Sequence, residues 1–568
     1  MSLTSEHRGR PRKTVADADK PVRLLDLSPF LSFSRDLYAR EALAYLPRIL
    51  CLLDRHPFHA TYGCFDRNFW HYRTADFPSA MYQEAVLPLA LAYRFAMPGN
   101  RWHRNERIRE LAVAGLRFTA RSSHRDGSCD DYYPFERALG AAVFSLHAST
   151  EAYRILELAD GELLRFFARR GDWLLRHDET GRLSNHQALA ALALFYTYRL
   201  TGQERFLQGA RRRIERLLEW QSPEGWFPEY EGCDLGYLTL TIDALAKYHR
   251  ATEDPAVLNP LRRAIRFAAH FLHPDGSFGG TYGSRNTSHF FPHGMELLAG
   301  KEPLAATLAD GCLKGIRDAS RSYCDDDRLY CHLAANYMQA YLDWFPRDCV
   351  PPEGGRPAIA CVVPQTTFFP HAGLWTRREP ERMIVVSAPK GGVFSHFAGG
   401  ALVTADAGLV AEDQRGRTLV SQLIDDRDVE WSAERIRIAG RMHFVSHETA
   451  SPLKWLLLRV AMLTFGRFCR NQVRSLLQRR LILAKRPAPV RFVRELHVGP
   501  PVEVVDTIVL EHPRLMLRRL AIGTDHTSIY VAASNPYHQA ALQPWIDLSR
   551  HLPALNRNRS LTIRRVLE

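Results

Sequence analysis

At 568 residues the chain is longer than one hydrophobic core supports, since cores stop growing at roughly 250 to 300 residues, and two large domains are expected. A hydrophobic content of 46% and a charged content of 24% are those of a globular protein, which argues against a disordered chain. The net charge of +13 and isoelectric point near 9.3 suit a polyanionic partner. An acidic polysaccharide, nucleic acid or an anionic membrane surface would fit that charge; no nucleic-acid-binding motif accompanies it, and its arginines, spread over the whole chain instead of forming a patch, fit a skew in genomic base composition equally well.

The first residues, MSLTSEHRGRPRKTVADADK, are basic and lack the apolar run of a signal peptide, so residues 1–25 are expected to be a disordered basic tail. The ten cysteines show no regular disulfide spacing. Together these features give a cytoplasmic expectation, with periplasmic or secreted locations left open. From about residue 30 to 345 the pattern is helical. Four turn motifs recur, at Asp126-Gly127-Ser128, Thr180-Gly181-Arg182, Glu224-Gly225-Trp226 and Asp275-Gly276-Ser277. Their period of roughly fifty residues is the length of one helical hairpin. Segments such as Gln187–Tyr196, rich in Ala and Leu, separate them, and the others lie near 40–54, 82–97, 103–121, 136–157, 161–177, 204–220, 238–251, 256–272 and 331–345. Hairpins of this size bury their apolar faces only by stacking, and six of them make an (α/α) toroid, complete or incomplete. Each repeat glycine is expected at a positive φ.

Past a Pro- and Gly-rich linker at 346–359, short β-branched runs appear, among them Met383–Val386, Arg435–Ile438, Val502–Val505 and Ser528–Val531. They predict an antiparallel β-sheet or β-sandwich domain over 360–568, which makes the chain an α+β multidomain protein. A helical insertion is expected near 455–468. The apolar stretch Leu456 to Phe468 is broken by Arg459 and is shorter than the ~20 residues of a bilayer span, so no membrane span is expected.

The most informative constellation is Ser184-Asn185-His186 at a helix start, followed one repeat later by Gly232-Cys-Asp-Leu-Gly-Tyr237. In a toroid these positions fall at equivalent levels on adjacent hairpins. An Asn-His pair opening a toroid helix, a Gly-Tyr one repeat on and then a β domain resembles the heparinase II/III and alginate-lyase group of polysaccharide lyases. The resemblance implies β-elimination at a uronic acid. Asn185 and His186 would hold the substrate carboxylate and stabilise the enolate-like charge, and Tyr237 would act as general base, and as acid towards the leaving oxygen. A phenol needs nearby positive charge to be a base at neutral pH, and Arg285 is the candidate. His293 or His289 would supply a separate acid, with His396 and Tyr282 competing for the family's third catalytic position.

Further candidates for holding the glycan are Trp70, beside Asp66 and Arg67 in an aromatic loop; Gln83 and Glu84 on the following helix; and the acidic, aromatic run containing Asp131, Tyr132, Tyr133, Glu136 and Arg137. Tyr282, Asn286 and His289 follow the fourth repeat turn, and His396 lies in the β domain. No metal or cofactor is expected, since the His-rich metal run of the resembled lyases is absent and Cys324 with Cys331-His332 is too irregular for a soft-ligand site. Two rival readings stand beside the lyase. One is a toroid glycoside hydrolase that pairs Asp131 with Glu136 or Asp234. The other is a non-catalytic or biosynthetic glycan-binding protein of exopolysaccharide production. The oligomeric state stays open.

Overall fold

The computed structural model describes residues 34–230, 232–323, 326, 328–349, 365–424, 427–445, 451–481, 486–525, 531 and 533–567; the basic tail, the Cys324 position and most of the linker lie outside them. Ser34–Glu568 form one compact unit. Its helical part begins with α1 (Asp36–Leu52), α2 (Arg67–Trp70), α3 (Val86–Arg94) and α4 (Glu106–Arg121), and continues through α5 (Leu139–Ile155), α6 (Gly161–Arg176), α7 (Ser184–Thr201) and α8 (Glu204–Glu219). A two-stranded ribbon, β1 (Pro228–Glu229) and β2 (Gly232–Cys233), precedes α9 (Leu235–Thr252), α10 (Pro255–Ala269), α11 (His293–Leu298), α12 (Pro303–Arg317) and α13 (Tyr330–Leu342).

Two kinds of helix alternate, and the sequence shows why. In α8 the buried residues Phe206, Ala210, Ile214 and Leu217 form one stripe against a remainder rich in Arg and Glu, the pattern of a helix with one wet face. Nearly every residue of α5 is buried instead, as a helix walled in on all sides requires. The buried class closes a ring: α3 packs on α5, α5 on α7, α7 on α9, α9 on α11, α11 on α13 and α13 back on α3, with α4, α6, α8, α10, α12 and α1 outside. This is the six-hairpin toroid. Neither α11 nor α12 was among the expected helical segments, because α11 has only six residues and α12 is diluted by two glycines.

All four repeat glycines have positive φ, between +84° and +106°. At Gly225 an added Cβ would lie 2.4 Å from the Arg263 carbonyl oxygen of α10, and at Gly276 2.6 Å from that of Gly311 in α12. The turns therefore need glycine twice over, for conformation and for close approach to the next outer helix.

The remainder is antiparallel sheet. β3 (Gln365–Phe369), β4 (Leu374–Arg378), β5 (Arg382–Ser387), β6 (Val393–Ala398) and β7 (Ala401–Asp406) run as a five-stranded meander. The second sheet has nine strands in the order β15-β14-β8-β9-β11-β12-β13-β16, with β10 beside β11. Its members are β8 (Leu409–Asp413), β9 (Thr418–Val420), β10 (Arg427–Trp431), β11 (Arg435–Phe444), β12 (Arg486–His497), β13 (Val502–Leu510), β14 (Leu517–Ile522), β15 (Ile546–Asp547) and β16 (Ser560–Leu567). Both sheets contribute to one core: Trp375, Ile384 and Phe394 meet Ile436, Phe492 and Val504 there. Between β11 and β12 the helical excursion is a pair, α14 (Pro452–Leu463) and α15 (Arg470–Leu481), longer than the sequence pattern indicated. A short α16 (Leu552–Asn558) precedes β16.

Polar contacts join the helical and sheet parts. The Glu224 carboxylate, in the third repeat turn, accepts the backbone N–H groups of His371 and Ala372 at 2.8 and 2.9 Å. Phe369 packs on Phe267 and Phe271, and Phe397 stacks on His273 at 4.3 Å.

Inside the sheets, Arg494 pairs with Asp506 and Asp406, each at 2.7 Å, and Arg565 reaches the same two carboxylates at 2.8 and 3.0 Å. Asp406→Ala would leave two buried guanidiniums sharing one carboxylate. The expected loss is about 3–5 kcal/mol of unfolding free energy, read from urea denaturation, whereas replacing the exposed pair Arg94–Glu157 is expected to cost under about 1 kcal/mol.

Candidate active site

The start of α7 is stitched to the β1–β2 ribbon. Leu183 bridges Glu229, Ser184 Oγ donates to the Pro228 carbonyl at 2.6 Å, and Asn185 Nδ2 donates to Glu229 Oε2 at 2.8 Å. The ribbon leads into α9, whose N-cap is Asp234. One Asp234 oxygen accepts the Tyr237 N–H at 3.2 Å and the Thr287 hydroxyl, and the other accepts the Arg285 N–H at 2.8 Å. A single buried carboxylate thus fixes both the helix that carries Tyr237 and the loop that carries Arg285. Lys390, from the turn before β6, reaches this loop and donates to Thr281 O, Gly283 O and Asn286 Oδ1.

Asn185 and Tyr237 are linked through Glu229, which bonds the first and is the strongest charged neighbour of the second. Glu229 is fully buried without a cation in contact, and burial pushes its carboxyl up to about 8, so it is neutral at pH 7. Burial and the Glu229 charge both raise the Tyr237 phenol above its ordinary value. The Arg285 guanidinium, expected to activate Tyr237, lies over the Tyr230 ring, 4.5 Å from its centre, and its charge favours the ionised forms of Tyr230 and Glu229. His289 sets its ring edge against Tyr237 at 5.2 Å and is held neutral by burial, pushed down to about 3.

His186 has a partner that sequence reasoning missed. Its Nδ1 lies 2.9 Å from Glu179 Oε2, and the other Glu179 oxygen meets Arg474 of α15 at 2.8 Å. Arg474 and His186 hold this buried carboxylate below its ordinary range. The same arginine is a favourable charge for Glu136, Tyr133 and Tyr230. In the acidic run, Asp131 accepts from Ser79 Oγ at 2.5 Å, and Glu136 accepts the Tyr132 N–H at 2.8 Å. Burial next to Asp131 pushes the Glu136 carboxyl up to about 7. Tyr132 is half exposed and lies under the Arg328 guanidinium at 4.5 Å.

Other candidates stand elsewhere. Trp70 donates to the Leu52 carbonyl at 2.7 Å. Gln83, with its amide oxygen and nitrogen exchanged, bonds Gly63 O and Phe65 N. Glu84 pairs with His332 inside the toroid. Arg137 pairs with Asp126. Tyr282 is buried at the junction with the sheets, bonded to His273 Nε2 at 2.8 Å, and Asn286 is engaged by Lys390. His293 bonds Asp343 at 2.8 Å, and His396 lies in the five-stranded sheet with Arg382 and Glu379 as its charged neighbours. Tyr282 and His293 are thus engaged in hydrogen bonds within the scaffold. Among the described residues no group of His, Cys, Asp and Glu has metal-site geometry.

Residues 79–310 match the family model described as the ulvan lyase N-terminal domain, a stretch that runs from the loop before α3 into α12 and contains Asp131, Asn185, Glu229, Tyr237 and Arg285. The match spans less than half of the chain and is a likeness to a polysaccharide-lyase domain. The particular likenesses are distant. Chondroitin AC lyase of Streptomyces coelicolor A3, solved with chondroitin sulphate, is 11% identical with a TM-score of 0.49, covering 90% of this chain and 69% of that one. Heparinase III is 11% identical with a TM-score of 0.46, covering 97% and 85%. A family 76 glycoside hydrolase from a bovine Bacteroides thetaiotaomicron strain is 11% identical with a TM-score of 0.39, covering 54% and 78%. No curated protein matches the sequence.

The protonated state of Glu229 carries a stability signature. Its carboxyl ionises near 4.5 when unfolded and at about 8 when folded, so the native state keeps a proton that the unfolded chain has released, and stability falls as pH rises from about 4.5 to about 8. In Glu229→Gln that slope should vanish, and thermal melts from pH 5 to 9 should show the variant gaining on the wild type as pH increases. A constant difference between the two would mean that Glu229 is ionised in the fold.

Proposed function

We propose that the protein is a lyase that cleaves a uronic-acid-containing polysaccharide by β-elimination. The observation that carries this reading is the buried Asn185–Glu229 hydrogen bond of 2.8 Å, with a carboxyl that is neutral at pH 7, beside the Tyr237 phenol. A uronate carboxylate entering beside Asn185 meets an amide and a neutral carboxyl where an ionised Glu229 would have presented an anion, and hydrogen bonds to it strengthen as enolate-like charge builds.

His186 suits the base. With Nδ1–H donated to Glu179, Nε2 presents its lone pair, and the carboxylate orients the ring and stabilises the imidazolium that forms. The proton leaves the carbon next to the carboxylate, its electron pair becomes the double bond to the adjacent carbon, and the glycosidic oxygen departs with the bonding pair. Tyr237, kept protonated by its surroundings, delivers the proton to that oxygen, the acid half of its expected role. Tyr132 and Tyr230, each under an arginine, offer rings for sugar stacking.

One observation favours a hydrolase as second reading: Glu136, pushed up to about 7 beside Asp131, resembles an acid paired with a carboxylate. Incubation with ulvan, chondroitin, heparan, hyaluronan, alginate and glucuronan, followed by ultraviolet absorbance of the unsaturated uronate, separates the readings. A rise that falls by about 10²–10⁴-fold in Tyr237→Phe and in His186→Ala is expected. New reducing ends without absorbance, abolished in Glu136→Gln, would replace the lyase with a hydrolase. Salt-sensitive binding with neither product would indicate a glycan-binding protein.

A further inference from the structure

We propose that the α14–α15 hairpin is a docking surface for an anionic lipid membrane. The hairpin is held at the toroid rim by two ion pairs, Arg459 with Asp76 at 2.8 Å and Arg474 with Glu179 at 2.8 Å, and Met462 is its buried contact. The outward face of α14 is apolar. Leu453, Leu456, Leu457, Val460 and Leu463 follow helical spacing along one side and are each at least half exposed, and the next turn adds Phe465 at 63% and Phe468 at 80% exposure. An ordinary surface helix turns its polar stripe to water; this one does the reverse.

Charge selects the occupant. From Ser451 to Arg486 the sequence has nine Lys or Arg and no Asp or Glu; Arg459 and Arg474 are engaged in the two ion pairs, and Lys454 and Arg467 are exposed beside the apolar face. An acidic glycan would use the cations and leave the leucines in water, and a second copy of the chain would bring equal positive charge to the same place. An anionic bilayer surface takes both, with leucine and phenylalanine entering the acyl boundary and the basic side chains meeting the headgroups. No described helix is long and apolar enough to cross a membrane, so the contact is with the interface. Docked this way, the hairpin sets the rim beside His186 close to the lipid surface.

The experiment is co-sedimentation of the full chain with vesicles of phosphatidylglycerol and phosphatidylcholine, against phosphatidylcholine alone, at low and high salt. Binding is expected to anionic vesicles and to weaken at least about tenfold on neutral vesicles. Leu456→Glu with Leu457→Glu should reduce it by a similar factor, and Lys454→Glu with Arg467→Glu should remove its salt dependence; these side chains are exposed, and circular dichroism checks that the variants fold. Absence of sedimentation with anionic vesicles at low salt would overturn the proposal, as would equal binding by the leucine variant. So would a wild-type dimer in light scattering that the leucine variant dissociates, since a second copy would then cover the face.

Discussion

The arrangement of the rim depends on the buried carboxylate of Asp234. It caps α9, which orients Tyr237, and it takes the backbone N–H of Arg285 and the hydroxyl of Thr287, so one residue couples two consecutive hairpins. Burial raises its carboxyl, and the hydrogen bonds it accepts offset that cost. Lys390 secures the same loop from the sheet side through three acceptors, with its ammonium pushed down to about 7 by burial. The helical part holds this loop through Asp234 and Cys233, and the sheet part adds the Lys390 contacts. In this way the second half of the chain contributes to a site whose side chains come mostly from the first.

Two buried glutamates on this rim show how environment divides roles between identical groups. Glu179 and Glu229 are both sequestered from water. Glu179 meets Arg474 and His186, which keep it ionised, whereas Glu229 has an amide as its bonded partner and Asp234 as a nearby negative group, and its carboxyl rises to about 8. An ionised carboxylate orients an imidazole; a neutral one tolerates an incoming anion. The divergence comes from Arg474, which arrives from an insertion between two strands. Separation of the two carboxyls is thus a property of the assembled molecule.

This explains what the sequence could and could not reveal. The fifty-residue repeat was legible because four turns hold a glycine at positive φ, Gly127, Gly181, Gly225 and Gly276, and at Gly127, Gly225 and Gly276 the backbone of the next outer helix also leaves no room for a Cβ. The spacing of Asn185 and Tyr237 follows the same period, and the fold sets both beside Glu229. Glu229 stood three residues past the Trp226 turn aromatic, but its meaning lay in a bond to Asn185 that only the β1–β2 ribbon creates. Arg474 carries no local signal at all, being one of many arginines in a basic chain. The contact of Arg285 was not legible, because sequence proximity to a rim does not fix where a long side chain points; the fold sets its guanidinium over the Tyr230 ring.

The apolar stretch from Leu456 to Phe468 changed meaning most. In the sequence its length and the interruption by Arg459 argued against a membrane span, and it was expected as a helical insertion in the β domain. In the fold, Arg459 pairs with Asp76 while the leucines face outward, so the residue that breaks the apolar run is the one that fastens the helix to the toroid. The insertion therefore unites two opposing demands: Arg459 of α14 and Arg474 of α15 turn inward to Asp76 and Glu179, and the apolar side chains of α14 turn outward, so one helical hairpin carries both the surface feature and a charge that keeps Glu179 ionised.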